Sequence, residues 1–230
     1  MAEEGLHENH RSRVRGRFIE QGLDAFAEHE ALELLLYYVY PRRDTNAIAH
    51  RFLNEFGSLP NLLEADVKDV MDRCGVTENT AVLIHLIPSL ARFYFNKKWG
   101  RHMVLKNASE AGRYVADLFI GQTAEIFMLL CLDTRKRLIK AARIAEGTLD
   151  QAFLYPREIV KKALQHQASA VILAHNHPGG SAAPSESDVD ATLEIIKGLA
   201  FIGIEVTDHI IAGGGQYYSF AAQGRHVAGY

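Results

Sequence analysis

The pattern of apolar and polar positions divides the chain into a helical first part and a mixed second part. Dense apolar periods separated by brief polar links predict four or five short helices before about residue 98. The predicted helical segments are 26–40, a stretch ending at 56 before Gly57, 62–71 and 80–95. Residues 1–98 are therefore predicted to form a small all-helical domain, and residues 99–107 are predicted to be a linker.

From residue 108 onward, runs of strand length alternate with helical patterns. The predicted strands are 126–132, 138–145, 170–174, 204–212 and 217–220, and the predicted helices are 109–119, 157–166 and 185–199. The run at 126–132, IFMLLCL, is continuously apolar, as expected for a central strand. This alternation predicts an α/β or α+β domain over residues 108–230.

Composition adds few constraints. The chain has 230 residues, 48% of them hydrophobic, and no apolar run approaches the roughly 18 residues that would span a bilayer. The N-terminus lacks the basic segment and apolar core of a secretory signal. Two cysteines, Cys74 and Cys131, are too few for a disulfide framework and too far apart for a Cys-x-x-Cys pair. These features predict a cytoplasmic protein with no membrane partner.

Charge argues against a nucleic-acid-binding domain. Residues 1–107 carry 14 Lys and Arg against 15 Asp and Glu, and residues 108–230 carry 11 against 13. Clustered positive charge normally supplies most of the affinity for DNA. The segment 74–81 lies where a helix-hairpin-helix turn would be expected, but Thr77 stands at the position of the second glycine and only Gly75 is present. A DNA contact and a purely structural turn are both open interpretations.

The most informative stretch is residues 170–188, AVILAHNHPGGSAAPSESD. His175 and His177 end a predicted strand, and residues two apart in a strand project to the same side. Ser185 and Asp188 begin the next helix after a Pro- and Gly-containing loop. Two histidines and a carboxylate are the ligand types of a catalytic zinc site, which keeps one position open for water.

A simpler explanation exists for half of this set. Ser185 and Asp188, which follow Pro184, also form a passable helix-capping pattern. The full pattern His-x-His-Pro-x6-Ser-x2-Asp, between a strand and a helix, is much harder to explain by capping alone. It favours a metal site with His175, His177 and Asp188 as ligands.

These residues resemble the JAMM motif of MPN-domain metalloproteases. The surrounding segments EGTL at 146–149, YPREIVKKAL at 155–164, VILAHNHP at 171–178 and DHIIAG at 208–213 resemble the RadC family. The resemblance covers about residues 108–225 strongly and the helical region weakly. It implies an α/β (α+β) MPN fold, with a mixed sheet flanked by helices, preceded by a helix-hairpin-helix-like domain. Many RadC proteins have Ser where this chain has Gly179.

The resemblance also implies the roles of site residues. It implies a zinc ion held by His175, His177 and Asp188, with Ser185 steadying the oxyanion of a tetrahedral intermediate. A glutamate at the start of an upstream strand would shuttle a proton from the zinc-bound water. Glu125 opens the 126–132 strand and is the expected residue, with Glu146 and Glu158 as alternatives.

His209 allows two interpretations. It is predicted to be a hydrogen-bonded structural histidine, and a contact with one of the metal ligands is the alternative.

Two functions follow as hypotheses. The first is a JAMM-type zinc metallohydrolase that cleaves a peptide or isopeptide bond. The second is a DNA-binding repair or recombination accessory protein, in which the zinc site is mainly structural. A zinc nucleoside deaminase is excluded, because its His-x-Glu and Pro-Cys-x-x-Cys motifs are missing from the sequence.

Overall fold

The computed structural model of the protein describes residues 2–99, 103–147 and 156–224. The chain divides into two compact units, Met1–Leu90 and Ala91–Tyr230, so the boundary falls within one long helix. Within the described ranges, no helix is long and apolar enough to cross a membrane.

The first unit is all-helical. Its elements are α1 (Ala2–Gln21), α2 (Glu28–Leu36), α3 (Asn46–Phe56), α4 (Leu59–Glu64), α5 (Val67–Cys74) and the start of α6 (Glu78–Trp99). Its core contains the fully buried side chains of Leu32, Leu36, Phe52, Leu62 and Ile84. The predicted all-helical character of this region is confirmed.

The prediction of a single helix over residues 62–71 is wrong. Ala65 and Asp66 have extended backbone angles, with ψ of 150° and 142°, and they separate α4 from α5. Asp66 occupies the N-cap position of α5, where a short acidic side chain is favoured at a helix start. The apolar period continues across the break because both short helices bury their apolar faces in the same core.

The predicted helix-hairpin-helix-like turn lies between α5 and α6. Gly75 ends α5 in the left-handed conformation, with φ of 59°, which glycine adopts without a steric penalty. The first turn of α6 carries the acidic Glu78. A negative side chain there opposes the binding of a phosphate to this helix N-terminus. DNA binding by this unit stays a prediction.

The second unit contains a five-stranded mixed sheet. After the end of α6, its elements are α7 (Ala108–Leu118), β1 (Ile126–Leu132), β2 (Leu138–Glu146), α8 (Pro156–Gln165), β3 (Ala170–His177), α9 (Glu186–Ala200), β4 (Glu205–Gly213) and β5 (Gln216–Ser219). The strand order is β2-β1-β3-β4-β5, with β3 and β4 parallel and the other neighbours antiparallel. The predicted fold class, a mixed sheet flanked by helices, is confirmed.

Helices cover both faces of the sheet. Alternate strand residues such as Leu130, Ile172 and Ile210 pack with α7 on one face. Leu129 and Leu173 point to the opposite face, where they pack with residues of α8 and α9. Both cysteines are free and buried, and burial raises the pKa of the Cys131 thiol to about 11.

A glycine in α7 marks a close contact with the sheet edge. A Cβ atom on Gly112 would lie 2.1 Å from Cε2 of Tyr217, whereas a Cβ on Gly16 in α1 would meet no atom within 4 Å. Gly112→Ala is therefore expected to destabilise the protein by about 1–3 kcal/mol through overpacking. Gly16→Ala is the matched control and should stabilise by up to about 1 kcal/mol, as in an open helix interior. Thermal unfolding of both variants tests this, and equal stabilisation would contradict the packing argument.

Candidate metal centre

The strand that carries the two histidines is longer than predicted. β3 continues past Ala174 and includes both His175 and His177. The alternation of the strand places the two imidazoles on the face that packs against α8 and α9, together with Val171 and Leu173. His175 is 1% exposed, whereas the side chain of His177 is 23% exposed. His175 therefore lies in the buried core, and His177 lies where the site opens to the solvent.

The antiparallel pairing of β1 with β3 brings Glu125 to these histidines. Phe127 is paired with His175, and the same register, continued by two residues, sets Glu125 opposite His177. Directly opposite residues share a face of the sheet and have neighbouring side chains. Ligand atoms of Glu125, His175 and His177 lie within 4.8 Å of one another.

The side chain of Asn176 ties the two strand ends together. Its Oδ1 accepts from the Ile126 amide at 2.8 Å, and its Nδ2 donates to the Ala124 carbonyl at 2.9 Å. The backbone on both sides of Glu125 is thus fixed to the residue between the two histidines. The sequence carries no signal for this role of Asn176, because its partners depend on strand pairing.

Asn176→Ala is expected to loosen this attachment. The substitution leaves the buried Ile126 amide without its acceptor, which costs about 1–3 kcal/mol. Hydrogen exchange of that amide should accelerate, and the urea midpoint of the second unit should fall. Asn107→Ala removes the N-cap of α7, at a cost of about 1 kcal/mol, and is the control. Unchanged exchange at Ile126 would contradict the role of Asn176.

The first turn of α9 supplies Asp188. Ser185 and Asp188 form a capping box, so the capping interpretation holds as well. Both the amide and the hydroxyl of Ser185 donate to Oδ2 of Asp188, at 2.8 and 2.7 Å. This leaves Oδ1 of Asp188 facing Nε2 of His175 at 3.2 Å. Burial opposes ionisation, but His175, whenever its Nε2 carries a proton, and the two donors of Ser185 lower the pKa of Asp188 well below its usual range.

A backbone carbonyl orients His177. Its Nδ1 lies 2.8 Å from the carbonyl oxygen of Ser181, which is only an acceptor, so Nδ1 carries the proton and Nε2 presents a lone pair. The loop that follows β3 lies close to β4, since a Cβ atom on Gly213 would come within 2.8 Å of the Gly180 carbonyl oxygen. Gly179 has φ of 65°, so glycine suits this turn.

His209 of β4 contacts the other side of His175. Its Nε2 lies 2.8 Å from Nδ1 of His175, and its Nδ1 lies 2.6 Å from the hydroxyl of Thr192 in α9. Burial, reinforced by the neighbouring histidines, lowers the pKa of His209 far below its usual value, so the ring is neutral. The structure supports the alternative interpretation of His209, a contact with a predicted ligand.

The donor set fits a bound cation. Nε2 of His175 and Nε2 of His177 are 2.9 Å apart, Oδ1 of Asp188 lies 3.2 Å from Nε2 of His175, and Oδ2 of Asp188 lies 3.5 Å from Nε2 of His177. Ligands about 2.0–2.1 Å from a tetrahedral zinc are separated by about 3.3 Å. Lone pairs and a carboxylate that converge at these distances repel one another unless a cation or a proton lies between them.

The alternative glutamates lie at the surface. The exposed Glu146 is paired with Arg143, and the exposed Glu158 is paired with Lys161. Glu125 is the glutamate that the described part of the chain brings to both histidines. Within the resembling segments, residues 148, 149 and 155 lie outside the described residues.

Comparisons with known proteins agree with this architecture. Residues 105–225 match the family model described as a RadC-like JAB domain. A UPF0758 protein of Fusobacterium nucleatum is 36% identical over 225 residues, which cover 95% of this chain and 97% of the relative. The similarity thus extends through the helical unit as well as the sheet. This chain belongs to the RadC family and carries an MPN/JAB domain.

Proposed function

We propose that this protein is a zinc-dependent hydrolase that cleaves a peptide or isopeptide bond. The observation that carries the proposal is the convergence of His175, His177 and Asp188 on one point, with Glu125 beside it. The MPN/JAB fold of this domain includes metallohydrolases, which supports hydrolysis over a purely structural role.

The chemistry of the donors supports zinc. Two imidazole nitrogens and one carboxylate oxygen form a common catalytic zinc set, which leaves a further position open. Because Oδ2 of Asp188 already accepts two hydrogen bonds from Ser185, Oδ1 is the oxygen available to the metal. When bound, zinc lowers the pKa of water to about 7 and polarises a carbonyl group.

Glu125 has the position of a proton carrier. Oxygens of Asp188 lie 3.2 Å from Nε2 of His175 and 3.5 Å from Nε2 of His177. A carboxylate oxygen of Glu125 lies within 4.8 Å of a ring nitrogen of each histidine. The closer carboxylate suits direct ligation. The other suits a hydrogen bond to the attacking water, from which Glu125 would take a proton and pass it to the leaving amine.

Ser185 is the proposed donor to the developing oxyanion. Its hydroxyl has one proton, which it gives to Asp188 in this structure. Donation to a substrate oxygen therefore requires the hydroxyl to turn away from Asp188, whose Oδ2 keeps the hydrogen bond from the Ser185 amide. The hydroxyl can thus change partner without leaving that oxygen without a donor.

The substrate class follows from the accessibility of the site. The side chains of His177 and Asp188 are 23% and 15% exposed, so a backbone or lysine-linked amide can approach from the solvent. We propose an amide as the scissile bond, because a proton carrier and an oxyanion donor flank the donor set as amide hydrolysis requires.

The test is metal-dependent cleavage. The full-length protein is stripped with a chelator, reloaded with zinc and incubated with matched peptides that contain either α-amide or lysine ε-amide bonds. Mass spectrometry should detect cleavage after zinc addition, and stripped protein should show none. Cleavage that is equal in stripped and reloaded samples would overturn the metal-dependent mechanism, and no cleavage of either amide class would overturn the substrate class.

A further inference from the structure

A continuous chain of hydrogen bonds runs behind the predicted ligand His175. The hydroxyl of Thr192 is 2.5 Å from the backbone carbonyl oxygen of Asp188 and 2.6 Å from Nδ1 of His209. Nε2 of His209 is in turn 2.8 Å from Nδ1 of His175. The chain therefore starts at the backbone of one predicted ligand and ends at the ring of another.

The direction of each hydrogen bond follows from the first one. A carbonyl oxygen only accepts, so the Thr192 hydroxyl donates its single proton to Asp188. The same hydroxyl oxygen must then accept from the Nδ1–H of His209, and in an imidazole with a single proton this leaves Nε2 as an acceptor. Nε2 of His209 accordingly accepts from Nδ1 of His175.

The consequence is a defined tautomer of His175. With its proton on Nδ1, the ring presents the lone pair of Nε2 to Asp188 and His177, where the metal ligands converge. His177 reaches the same state through the Ser181 carbonyl. His175 and His177 thus have the same tautomer, which a loop carbonyl fixes for His177 and which His209 of β4 fixes for His175.

The chain of hydrogen bonds is buried. His209 is 1% exposed and Thr192 is 2% exposed. The His209 ring stacks on Phe220, with centroids 5.0 Å apart, and meets the edge of Phe127 at 5.9 Å. A buried polar group left without a partner is costly, so each member constrains the orientation of the next. The parallel pairing of β3 with β4 fixes the spacing of His175 and His209.

We propose that His209, supported by Thr192, is a positioning residue that fixes His175 in the tautomer required for metal ligation. The inference rests on the metal site proposed above. Neither His209 nor Thr192 is exposed enough to meet substrate, so their effect is on the metal and on the geometry of its ligands. The hydrogen-bonding partners of metal-bound histidines commonly change metal affinity 10- to 100-fold, and about this effect is expected here.

The experiment measures zinc affinity by chelator competition in the full-length protein. His209→Phe retains an aromatic ring of similar size but removes the acceptor, and its zinc affinity should fall about 10- to 100-fold. His209→Gln offers a side-chain carbonyl to His175 and should restore part of the loss. Thr192→Val should weaken binding about 2- to 10-fold, whereas Thr192→Ser keeps the hydroxyl and should stay near wild type.

Two controls separate positioning from packing. Phe220→Leu alters the packing around His209 and leaves the hydrogen-bond chain intact, so zinc affinity should be retained. In metal-free protein, nitrogen-detected imidazole NMR should find the His175 proton on Nδ1 in wild type and redistributed between both nitrogens in His209→Phe. Circular dichroism and thermal unfolding verify that each variant is folded.

The outcomes distinguish this inference from the proposed function. A folded His209→Phe protein with wild-type zinc affinity and an unchanged His175 tautomer would overturn the inference alone. A loss in Phe220→Leu equal to that in His209→Phe would also overturn it, in favour of packing. Wild-type protein that binds no zinc would overturn the metal site itself, and with it both proposals.

Discussion

His177→Ala is expected to abolish stoichiometric zinc binding. His177 supplies one of three converging donors, and its Nε2 lies 2.9 Å from Nε2 of His175 and 3.5 Å from Asp188. Four ligands share an apparent binding free energy of about 10–16 kcal/mol in structural zinc sites, so the loss of one ligand is expected to weaken zinc binding by about 10²- to 10³-fold. Metal analysis after dialysis should find about one zinc per wild-type chain and almost none in the variant.

The control for this prediction is another histidine of the same unit. His166 follows α8 and is not among the residues that converge at the site. His166→Ala should therefore retain full zinc occupancy. A His177→Ala protein that keeps a full equivalent of zinc would contradict the assignment of His177 as a ligand, as would equal losses in the two variants.

Glu125→Gln is expected to keep zinc and lose cleavage. Glutamine preserves the size of the side chain but is not a base, so transfer of the water proton should slow by about 10²- to 10⁴-fold. Asp188→Asn should instead lose zinc, because it weakens the closest carboxylate contact to the histidines and with it metal binding. The two variants therefore separate the proton carrier from the ligand.

Two surface glutamates provide matched controls. Glu146→Gln and Glu158→Gln each remove an exposed ion pair, with Arg143 or Lys161, and should leave both zinc content and cleavage near wild type. Retained cleavage in Glu125→Gln would remove Glu125 from the mechanism. If Glu125→Gln lost zinc while Asp188→Asn kept it, the two carboxylates would have exchanged roles.

The site joins residues with two different kinds of sequence signal. His175, His177, Ser185 and Asp188 lie within 14 residues, and strand alternation and helix capping are local rules, so their spacing is informative. Glu125 is 50 residues upstream of His175, and family resemblance together with its place before a strand indicates its role. Only the β1–β3 register brings Glu125 opposite His177.

Other site residues carry no local signal of their role. Asn176 looks like a spacer between two histidines, and its bonds to residues 124 and 126 exist only because β1 pairs with β3. Thr192 is an ordinary helix residue until α9 packs over β4 and brings its hydroxyl to His209. Similarly, glycine is unfavourable inside a helix, and Gly112 is explained only by the Tyr217 ring, which leaves no room for a Cβ atom.

The sequence alone determined the alternation of strands and helices in the second unit, the helical first unit and the His-x-His donor pair. These features depend on periodicity and on contacts between near neighbours. The single helix predicted over 62–71 failed because two short helices share one core, and apolar periodicity does not record a break in the backbone. Tertiary structure decided strand order, register and the partners of Glu125, Asn176 and His209, because those depend on contacts between residues distant in sequence.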